Sequence, residues 1–255
     1  MTEIARIATV PAVDLHAAAR GRLIVALDFA SEPQALDLVK RIGSRVGLFK
    51  VGLELFVSAG PAILEAIRQH TTAGIFLDLK FHDIPATMRA AGLAAKRYGV
   101  RFLTVHCETS ERLTAASPGL AATQLLGVTV LTSTDASAVR AAGWYDPHLT
   151  VEALVLRRAA LARDAGCTGV VCSANEAHVV KTQFGPEFVV VTPGIRPAWA
   201  AVPGDDQRRA NTPAQAIAAG ADFLVVGRPI RDAQDPVEAV ERIVNEIADT
   251  PGRTP

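Results

Sequence analysis

Apolar runs of strand length recur along the chain, and each ends in a polar residue or a glycine. Continuous runs rich in β-branched residues are typical of strands that are covered on both faces in a parallel sheet. The eight runs are LIVALD (23–28), LFKVG (48–52), GIFLDLK (74–80), RFLTVH (101–106), LLGVTVLT (125–132), GVVCS (169–173), FVVVTPG (188–194) and FLVVGR (223–228). The pattern therefore predicts eight parallel strands.

Stretches with the apolar period of an amphipathic helix lie between these runs. The clearest are EPQALDLVKRIG (32–43), PAILEAIRQH (61–70), ATMRAAGLAAKRYG (86–99) and VEALVLRRAALARDAG (151–166). Eight strands alternating with helices in 255 residues predict an α/β protein with a single (β/α)8 TIM barrel. A doubly wound open sheet is the alternative, but no G-x-G-x-x-G follows the first strand.

The barrel is expected to occupy residues 21–250, preceded by an N-terminal extension, residues 1–20, with a frayed start and no assigned role. A short extra helix is expected near DASAVRAAG (135–143). Residues 196–213 contain prolines, a glycine and mixed charges, which predicts a long surface loop, and long loops in compact domains are usually functional.

Composition narrows the possible partners. Lys and Arg total 26 and so do Asp and Glu, so the formal charge is zero and no basic excess exists to bind nucleic acid. Residues 113–134 carry no charge, but Pro118 and Gly119 interrupt them, so we expect no membrane segment. Three cysteines form no disulfide framework, and the first twenty residues lack a secretory pattern, which favours the cytoplasm.

In a parallel barrel the functional face lies at the carboxyl ends of the strands. The polar residues and turn residues expected at this face are Asp28, Lys50, Asp78, Lys80, His106, Thr132, Ser173, Pro193, Gly194, Gly227 and Arg228. This set is too uniform in chemistry to look like surface residues placed there by chance.

The third run carries the strongest signal. Asp78 and Lys80 are two residues apart among apolar neighbours, so both are expected to face the barrel interior. Lys50 on the adjacent strand brings a second ammonium group, and Asp83 lies just past the strand end. The prediction is an array of alternating lysines and aspartates in a poorly solvated place. A purely structural ion-pair network is the alternative to a catalytic one.

Phosphate recognition is the second signal. Gly194 and Gly227 follow the seventh and eighth strands, where backbone amides can approach an anion, and Arg228 supplies a positive charge. The loops after these two strands are the common phosphate site of TIM barrels.

Other polar residues fit structural roles better. His82 and His106 could act as general bases, but hydrogen-bonded structural histidines are favoured. The cysteines are expected to be small buried residues. Asp28 and Asp78 could form a metal site, although the adjacent lysines already compensate their charges.

With these residues assembled, the chain closely resembles the orotidine 5′-monophosphate decarboxylase family over roughly residues 22–245. The motifs that carry the resemblance are LDF with Asp28, FKVG with Lys50, DLKFHDIPATM, LTS with Thr132, TPGIRP with Arg196, the Gln207 loop and VVGRPI with Arg228. The resemblance implies a homodimeric TIM barrel that works in pyrimidine synthesis without a metal or an organic cofactor.

The resemblance also implies roles for single residues. Lys80 would donate a proton to C6 of the pyrimidine, flanked by Asp78 and Lys50. Asp83 would reach into the partner subunit's active site, which Ile84 and Thr87 would line. The remaining implied contacts are Asp28 and Lys50 with the ribose, Thr132 and Ser133 with the pyrimidine, and Arg196, Gln207, Gly227 and Arg228 with the phosphate; Pro193 is a further expected substrate contact.

Two alternatives stay open. One is a sugar-phosphate decarboxylase or aldolase of the same suprafamily, which the chain also resembles in its Asp-x-Lys-x-x-Asp segment and which uses Mg²⁺. The other is a non-catalytic nucleotide-binding barrel, which would gain nothing from burying four ionised groups.

Overall fold

Eight short strands form in the apolar runs, where β-branched residues favour extended backbone and both faces become covered. The structure, a computed structural model, describes residues 14–116, 122–141, 150–200 and 209–251. The strands are β1 (Leu23–Ala26), β2 (Leu48–Gly52), β3 (Gly74–Phe81), β4 (Phe102–His106), β5 (Gln124–Val128), β6 (Gly169–Val171), β7 (Val189–Thr192) and β8 (Phe223–Val226).

The strands close into a barrel in which each pairs in parallel with the next and β8 pairs with β1. The prediction of a (β/α)8 barrel is confirmed. An interior layer of apolar side chains fills the barrel: Ile24, Ala26, Leu48, Phe76, Phe102, Leu126, Val191 and Val225. This layer forms the floor beneath the carboxyl ends of the strands.

Helices surround the barrel. Within the described residues they are α1 (Leu15–Arg22), α2 (Glu32–Ile42), α3 (Leu53–Ala59), α4 (Ala62–Arg68), α5 (Pro85–Lys96), α6 (Ser110–Ala116), α7 (Ala136–Ala141), α8 (Val151–Asp164), α9 (Ala174–Phe184), α10 (Pro213–Ala218), α11 (Arg228–Arg231) and α12 (Pro236–Ala248). The extra helix expected near residue 135 is α7. No helix in the described part of the chain has the length and apolar character needed to cross a membrane.

The first helix corrects the expectation of a frayed start over residues 14–20. Asp14 caps α1 by accepting hydrogen bonds from the amides of His16 and Ala17. Arg22, at the end of α1, donates to the carbonyls of Ala221 and Asp222. The apolar period over so short a segment is too weak to reveal such a helix. Residues 1–13 lie outside the described part, and the role of the extension stays open.

All the strands except β2 and β3 are shorter than their apolar runs. The run 125–132 continues beyond β5, which ends at Val128, and the run 169–173 continues beyond β6, which ends at Val171. Ser173 caps α9 instead, accepting from the Asn175 amide. Apolar character continues past the strand ends because the first loop residues are also buried.

One irregularity lies in β3. Leu77 pairs with Leu103 of β4, but the next pair is Phe81 with Val105, so four steps along β3 match two along β4. Lys80 has a φ of 49° within this bulge and is the only non-glycine residue with a positive φ among those described. Bulges often re-aim a side chain next to an active site.

Candidate active site

A cavity of about 500 Å³ opens at the carboxyl ends of the strands. Ten of the fourteen residues expected to form the site line it: Asp28, Lys50, Asp78, Lys80, Thr132, Ser133, Pro193, Arg196, Gly227 and Arg228. The structure therefore brings these ten residues together within a single chain.

An ion-pair network crosses the side of the cavity formed by β1, β2 and β3. The Lys50 Nζ lies 2.8 Å from Asp28 Oδ1 and 3.8 Å from Asp78 Oδ2. The Lys80 Nζ lies 2.8 Å from the same Asp78 oxygen. Asp28, Lys50, Asp78 and Lys80 thus alternate in sign along one connected line.

The four side chains of this network differ in how deeply they are buried. The side chains of Asp78 and Lys50 are 11% and 12% exposed, that of Lys80 is 30% exposed, and that of Asp28 is 44% exposed. The Lys80 ammonium group is therefore held from below by a buried carboxylate and remains open to a ligand. Gly52 leaves room for the network, because a Cβ there would lie 3.0 Å from the Lys50 Nζ.

The Asp78 carboxyl stays ionised in this place. Burial alone would raise its pKa, but Lys50, Lys80 and hydrogen bonds from Lys80 and Thr104 outweigh burial and lower the pKa below its usual value. The ionised carboxylate in turn holds the two ammonium groups close to each other at the base of the cavity.

Thr104 is a site residue that the sequence did not reveal. Its Oγ1 donates a 2.9 Å hydrogen bond to Asp78 Oδ1 and accepts one of 2.9 Å from the backbone amide of Lys80. The available signal was a threonine at an inward position of an otherwise apolar strand, FLTVH. Such a residue needs a polar partner inside the barrel.

Backbone and arginines form the part of the cavity that follows β7 and β8. Gly194 has a φ of 76°, so the turn after β7 requires glycine. Arg228 follows Gly227 directly after β8. Arg231, which was not expected, also lines the cavity and donates a 2.8 Å hydrogen bond to the carbonyl of Asp28.

A third residue that the sequence did not reveal, Arg209, joins its own loop to the segment after β5 and to α9. Its guanidinium donates to the carbonyls of Val130 and Leu131, just before Thr132. It also pairs with Glu176 of α9 at 2.6 Å, and both side chains are 10% exposed or less. Arginine in a predicted surface loop looks solvated in sequence, so this buried pair was not foreseen.

Three expected site residues lie elsewhere. Asp83, Ile84 and Thr87 are exposed and outside the cavity, and Asp83 Oδ1 accepts a 2.7 Å hydrogen bond from the Ile84 amide. The expected array of alternating lysines and aspartates is therefore corrected: within one chain its second aspartate is Asp28, not Asp83. Asp83 is exposed because β3 ends at Phe81, before it. Gln207 lies outside the described residues.

The cysteines are buried as the sequence predicts, and both histidines lie near charged side chains. His82 Nε2 lies 2.7 Å from Glu108 Oε2. Burial lowers the pKa of His106, with further contributions from neighbouring charges. All three cysteines are free and buried, and burial raises the pKa of Cys167 to about 12. Within the described ranges, no group of three or more His, Cys, Asp or Glu side chains could hold a metal ion.

Comparison with known proteins identifies the family. A family model described as orotidine 5′-phosphate decarboxylase / HUMPS family matches residues 21–243. The chain belongs to this family. A family member from Trichlorobacter lovleyi named orotidine 5′-phosphate decarboxylase is 44% identical over 237 residues, covering 90% of this chain and 96% of that protein.

A second relative and a solved structure support the same family. One of the same name from Synechocystis is 47% identical over 232 residues, which cover 89% of this chain and 98% of that protein. A crystal structure of orotidine 5′-phosphate decarboxylase from Lactobacillus acidophilus has a TM-score of 0.75 and 36% identity, covering 88% of this chain and 98% of that chain. The family and the barrel expected from the sequence are both confirmed.

Proposed function

We infer that this protein decarboxylates orotidine 5′-monophosphate to uridine 5′-monophosphate, a step of pyrimidine synthesis. The observation that carries this conclusion is the partly buried Asp28–Lys50–Asp78–Lys80 network at the mouth of the barrel in a chain of the decarboxylase family. Lys80 is held at 2.8 Å by the buried Asp78 carboxylate and is the more exposed of the two lysines in the cavity.

The chemistry requires such a network. Loss of CO₂ from C6 of the pyrimidine leaves a carbanion whose lone pair lies in the ring plane, out of conjugation with the ring carbonyls. Resonance therefore cannot stabilise it, and stabilisation has to be electrostatic. A fixed ammonium group next to C6 lowers the energy of the developing charge and then gives up a proton to it.

Lys80 supplies both the charge and the proton in this proposal. When the bond between C6 and the carboxylate breaks, its electron pair stays on C6, CO₂ leaves, and the Lys80 Nζ transfers a proton to C6. Asp78 holds the Lys80 ammonium group in place, since Asp78 Oδ2 accepts from the Lys80 Nζ at 2.8 Å. Lys50 lies 3.8 Å from the same oxygen and helps to hold the Asp78 carboxylate.

The rest of the cavity suits the rest of a nucleotide. Asp28 and Lys50 are proposed to bind the ribose hydroxyls, and Thr132 and Ser133 the pyrimidine edge. Arg228, Gly227 and Arg196 line the same cavity and are proposed to bind the phosphate together with Gln207. Phosphate contacts remote from C6 can contribute binding energy that lowers the chemical barrier.

A magnesium-dependent sugar-phosphate enzyme is the competing proposal, since the family's description also covers a second activity. Asp28 and Asp78, the carboxylates that line the cavity, each form a 2.8 Å pair with a lysine. Two ammonium groups in these positions oppose a dication electrostatically, which favours the lysine-based reaction.

The direct test is loss of the ultraviolet absorbance of orotidine 5′-monophosphate on addition of the protein. We expect turnover that is undiminished after exhaustive treatment with EDTA, because lysine supplies the positive charge. Strict dependence of turnover on added Mg²⁺, or no turnover by folded protein in any condition, would contradict the proposal.

We also propose a homodimer with shared active sites. Large apolar side chains that follow β2 and β3 are exposed in one chain: Leu53, Val57, Ile84 and Leu93. Exposed apolar side chains on the segments that follow two adjacent strands favour an interaction site there. Asp83 lies beside Ile84 on the same surface and outside its own cavity, so a partner's cavity is within its reach across a two-fold axis.

Mixed dimers test this sharing. Lys80→Ala and Asp83→Asn homodimers should each be nearly inactive, but a mixed dimer has one site with an intact Lys80 and the partner's intact Asp83. After random exchange in an equal mixture, activity should recover to about a quarter of the parent level. No recovery, with exchange verified by mass, would mean that Asp83 serves its own chain.

The last part of the proposal concerns the compartment and the partners of the protein. We propose that the protein works in the cytoplasm on a small nucleotide, without a nucleic-acid partner. A formal net charge of zero and three free cysteines favour this setting.

A further inference from the structure

Thr104 lies inside the barrel, fully buried, beneath the charged network and outside the lining of the cavity. We propose that Thr104 is a positioning residue whose hydroxyl fixes the Asp78 carboxylate and the Lys80 backbone in the geometry that aims the Lys80 ammonium group at the reacting carbon. This inference rests on the decarboxylase function proposed above.

The direction of both hydrogen bonds follows from the groups involved. A backbone amide can only donate, so the Lys80 N–H donates to Thr104 Oγ1 at 2.9 Å. An ionised carboxylate can only accept, so the hydroxyl proton points to Asp78 Oδ1, also at 2.9 Å. The hydroxyl therefore links the two residues through a single atom.

The bulge explains why this link is needed. Where β3 loses its register against β4, the Lys80 amide leaves the regular ladder, and a buried amide without a partner would be costly. Thr104 Oγ1 accepts that hydrogen bond. Lys80 also has a φ of 49°, which is unfavourable for a residue with a side chain and persists only where its surroundings enforce it.

The same hydroxyl limits the motion of Asp78. Asp78 Oδ2 is engaged by Lys80 and faces Lys50 at 3.8 Å, and Oδ1 is engaged by Thr104. Both oxygens are held, so rotation of the carboxylate would break a hydrogen bond in a nearly dry place. Thr104 thus acts on substrate only through Asp78 and Lys80.

Thr104→Val removes the hydroxyl and keeps the branched shape. We expect the single-turnover rate and kcat to fall about ten- to hundredfold, because a small misplacement of a catalytic group costs that much. KM should stay within about threefold of the parent value, since the substrate contacts are untouched. Thr104→Ser, which restores the hydroxyl, should return kcat to within about threefold of the parent.

Thr123→Val is the matched control. Thr123, which directly precedes β5, is also buried, and its hydroxyl donates a 2.8 Å hydrogen bond to the Val100 carbonyl, away from the cavity. The Thr123→Val substitution should lower Tm as Thr104→Val does and leave kcat unchanged. If Thr104→Val does not fold, Thr104→Ala takes its place with the same expectations.

Failure of the decarboxylase function and failure of the role of Thr104 give different results. A parent protein that does not consume orotidine 5′-monophosphate contradicts the proposed function, so its turnover is measured first. With an active parent, unchanged kcat in Thr104→Val, a loss confined to KM, or a Thr104→Ser variant as slow as Thr104→Val would each overturn the role of Thr104.

Discussion

The two sides of the barrel mouth are built on different principles. The charged side, formed by Asp28, Lys50, Asp78 and Lys80, holds its groups through one another, with two contacts of 2.8 Å and a link of 3.8 Å. On the loop side, which follows β5, β7 and β8, glycine turns and arginines anchored to backbone carbonyls shape the cavity. Paired strands, with a bulge in β3 at Lys80, fix the first side, and the connections that follow the strands fix the second.

This difference matches a division of labour in the proposed reaction. Electrostatic stabilisation of a carbanion requires groups that are in place before the charge develops, because reorganisation during the reaction would cancel the gain. Binding of a phosphate tolerates groups that settle around the ligand, since that energy is collected when the complex forms. Removing one group from each side should therefore give different kinetic results.

The largest effect is expected from Lys80→Ala on the charged side. The variant loses the proton donor and the main stabilising charge together, so turnover should fall by about 10⁴-fold or more while the fold is kept. Turnover is measured by ultraviolet absorbance and folding by circular dichroism. Lys40→Ala, on the exposed surface of α2, is the control and should match the parent. Residual activity within about tenfold of the parent would mean a different donor.

A smaller effect is expected from Arg228→Ala on the loop side. A charge-assisted contact to phosphate contributes roughly 1.5–3 kcal/mol, so kcat/KM for the nucleotide should fall about tenfold to two hundredfold. Orotidine without its phosphate serves as the control substrate, and its kcat/KM should hardly change. Equal losses for the two substrates would assign Arg228 to the pyrimidine or to the fold.

The two sides also differ in how far the sequence predicted them. On the charged side, alternation within a strand places Asp78 and Lys80 on one face, and parallel pairing brings Lys50 beside them. These rules act over two or three residues and hold wherever the strand is regular. The barrel followed from the same local periodicity, repeated eight times.

The sequence was silent where long-range packing decides. The Glu176–Arg209 pair joins α9 to a loop 33 residues later, and no local pattern connects these residues. Thr104 reaches Asp78 through the bulge in β3, which has no signal in an apolar run. Arg231 lies one helical turn after Arg228, and only the path of that turn brings it to the Asp28 carbonyl.

The smallest expected effect is on the free energy of unfolding. Its pH dependence should have opposite signs for two buried carboxyls, Asp78 on the charged side and Glu176, which pairs with Arg209 near the loop side. The Asp78 pKa lies below its ordinary value of 3.8 because neighbouring cations and hydrogen bonds outweigh burial. The Glu176 pKa lies above its ordinary value of 4.5 because burial outweighs Arg209. Folding therefore favours the ionised form of the first carboxyl and the protonated form of the second.

Linkage then fixes the pH dependence of each contribution to the free energy of unfolding. A lowered pKa in the folded state gives stability that is present above about pH 4 and is lost as the pH falls through the folded pKa. A raised pKa gives stability that is present below about pH 4 and is lost as the pH rises through the folded pKa. Each slope is limited to about 1.4 kcal/mol per pH unit.

Urea unfolding of Asp78→Asn and Glu176→Gln against the parent, at one protein concentration, measures both slopes. The stability advantage of the parent over Asp78→Asn should shrink as the pH is lowered below 3.8. The free energy of unfolding of the parent should fall relative to that of Glu176→Gln as the pH is raised above 4.5. Slopes of the same sign would mean that Arg209 stabilises the Glu176 carboxylate more than burial opposes it, and the loop side would then hold its buried charge as the charged side does.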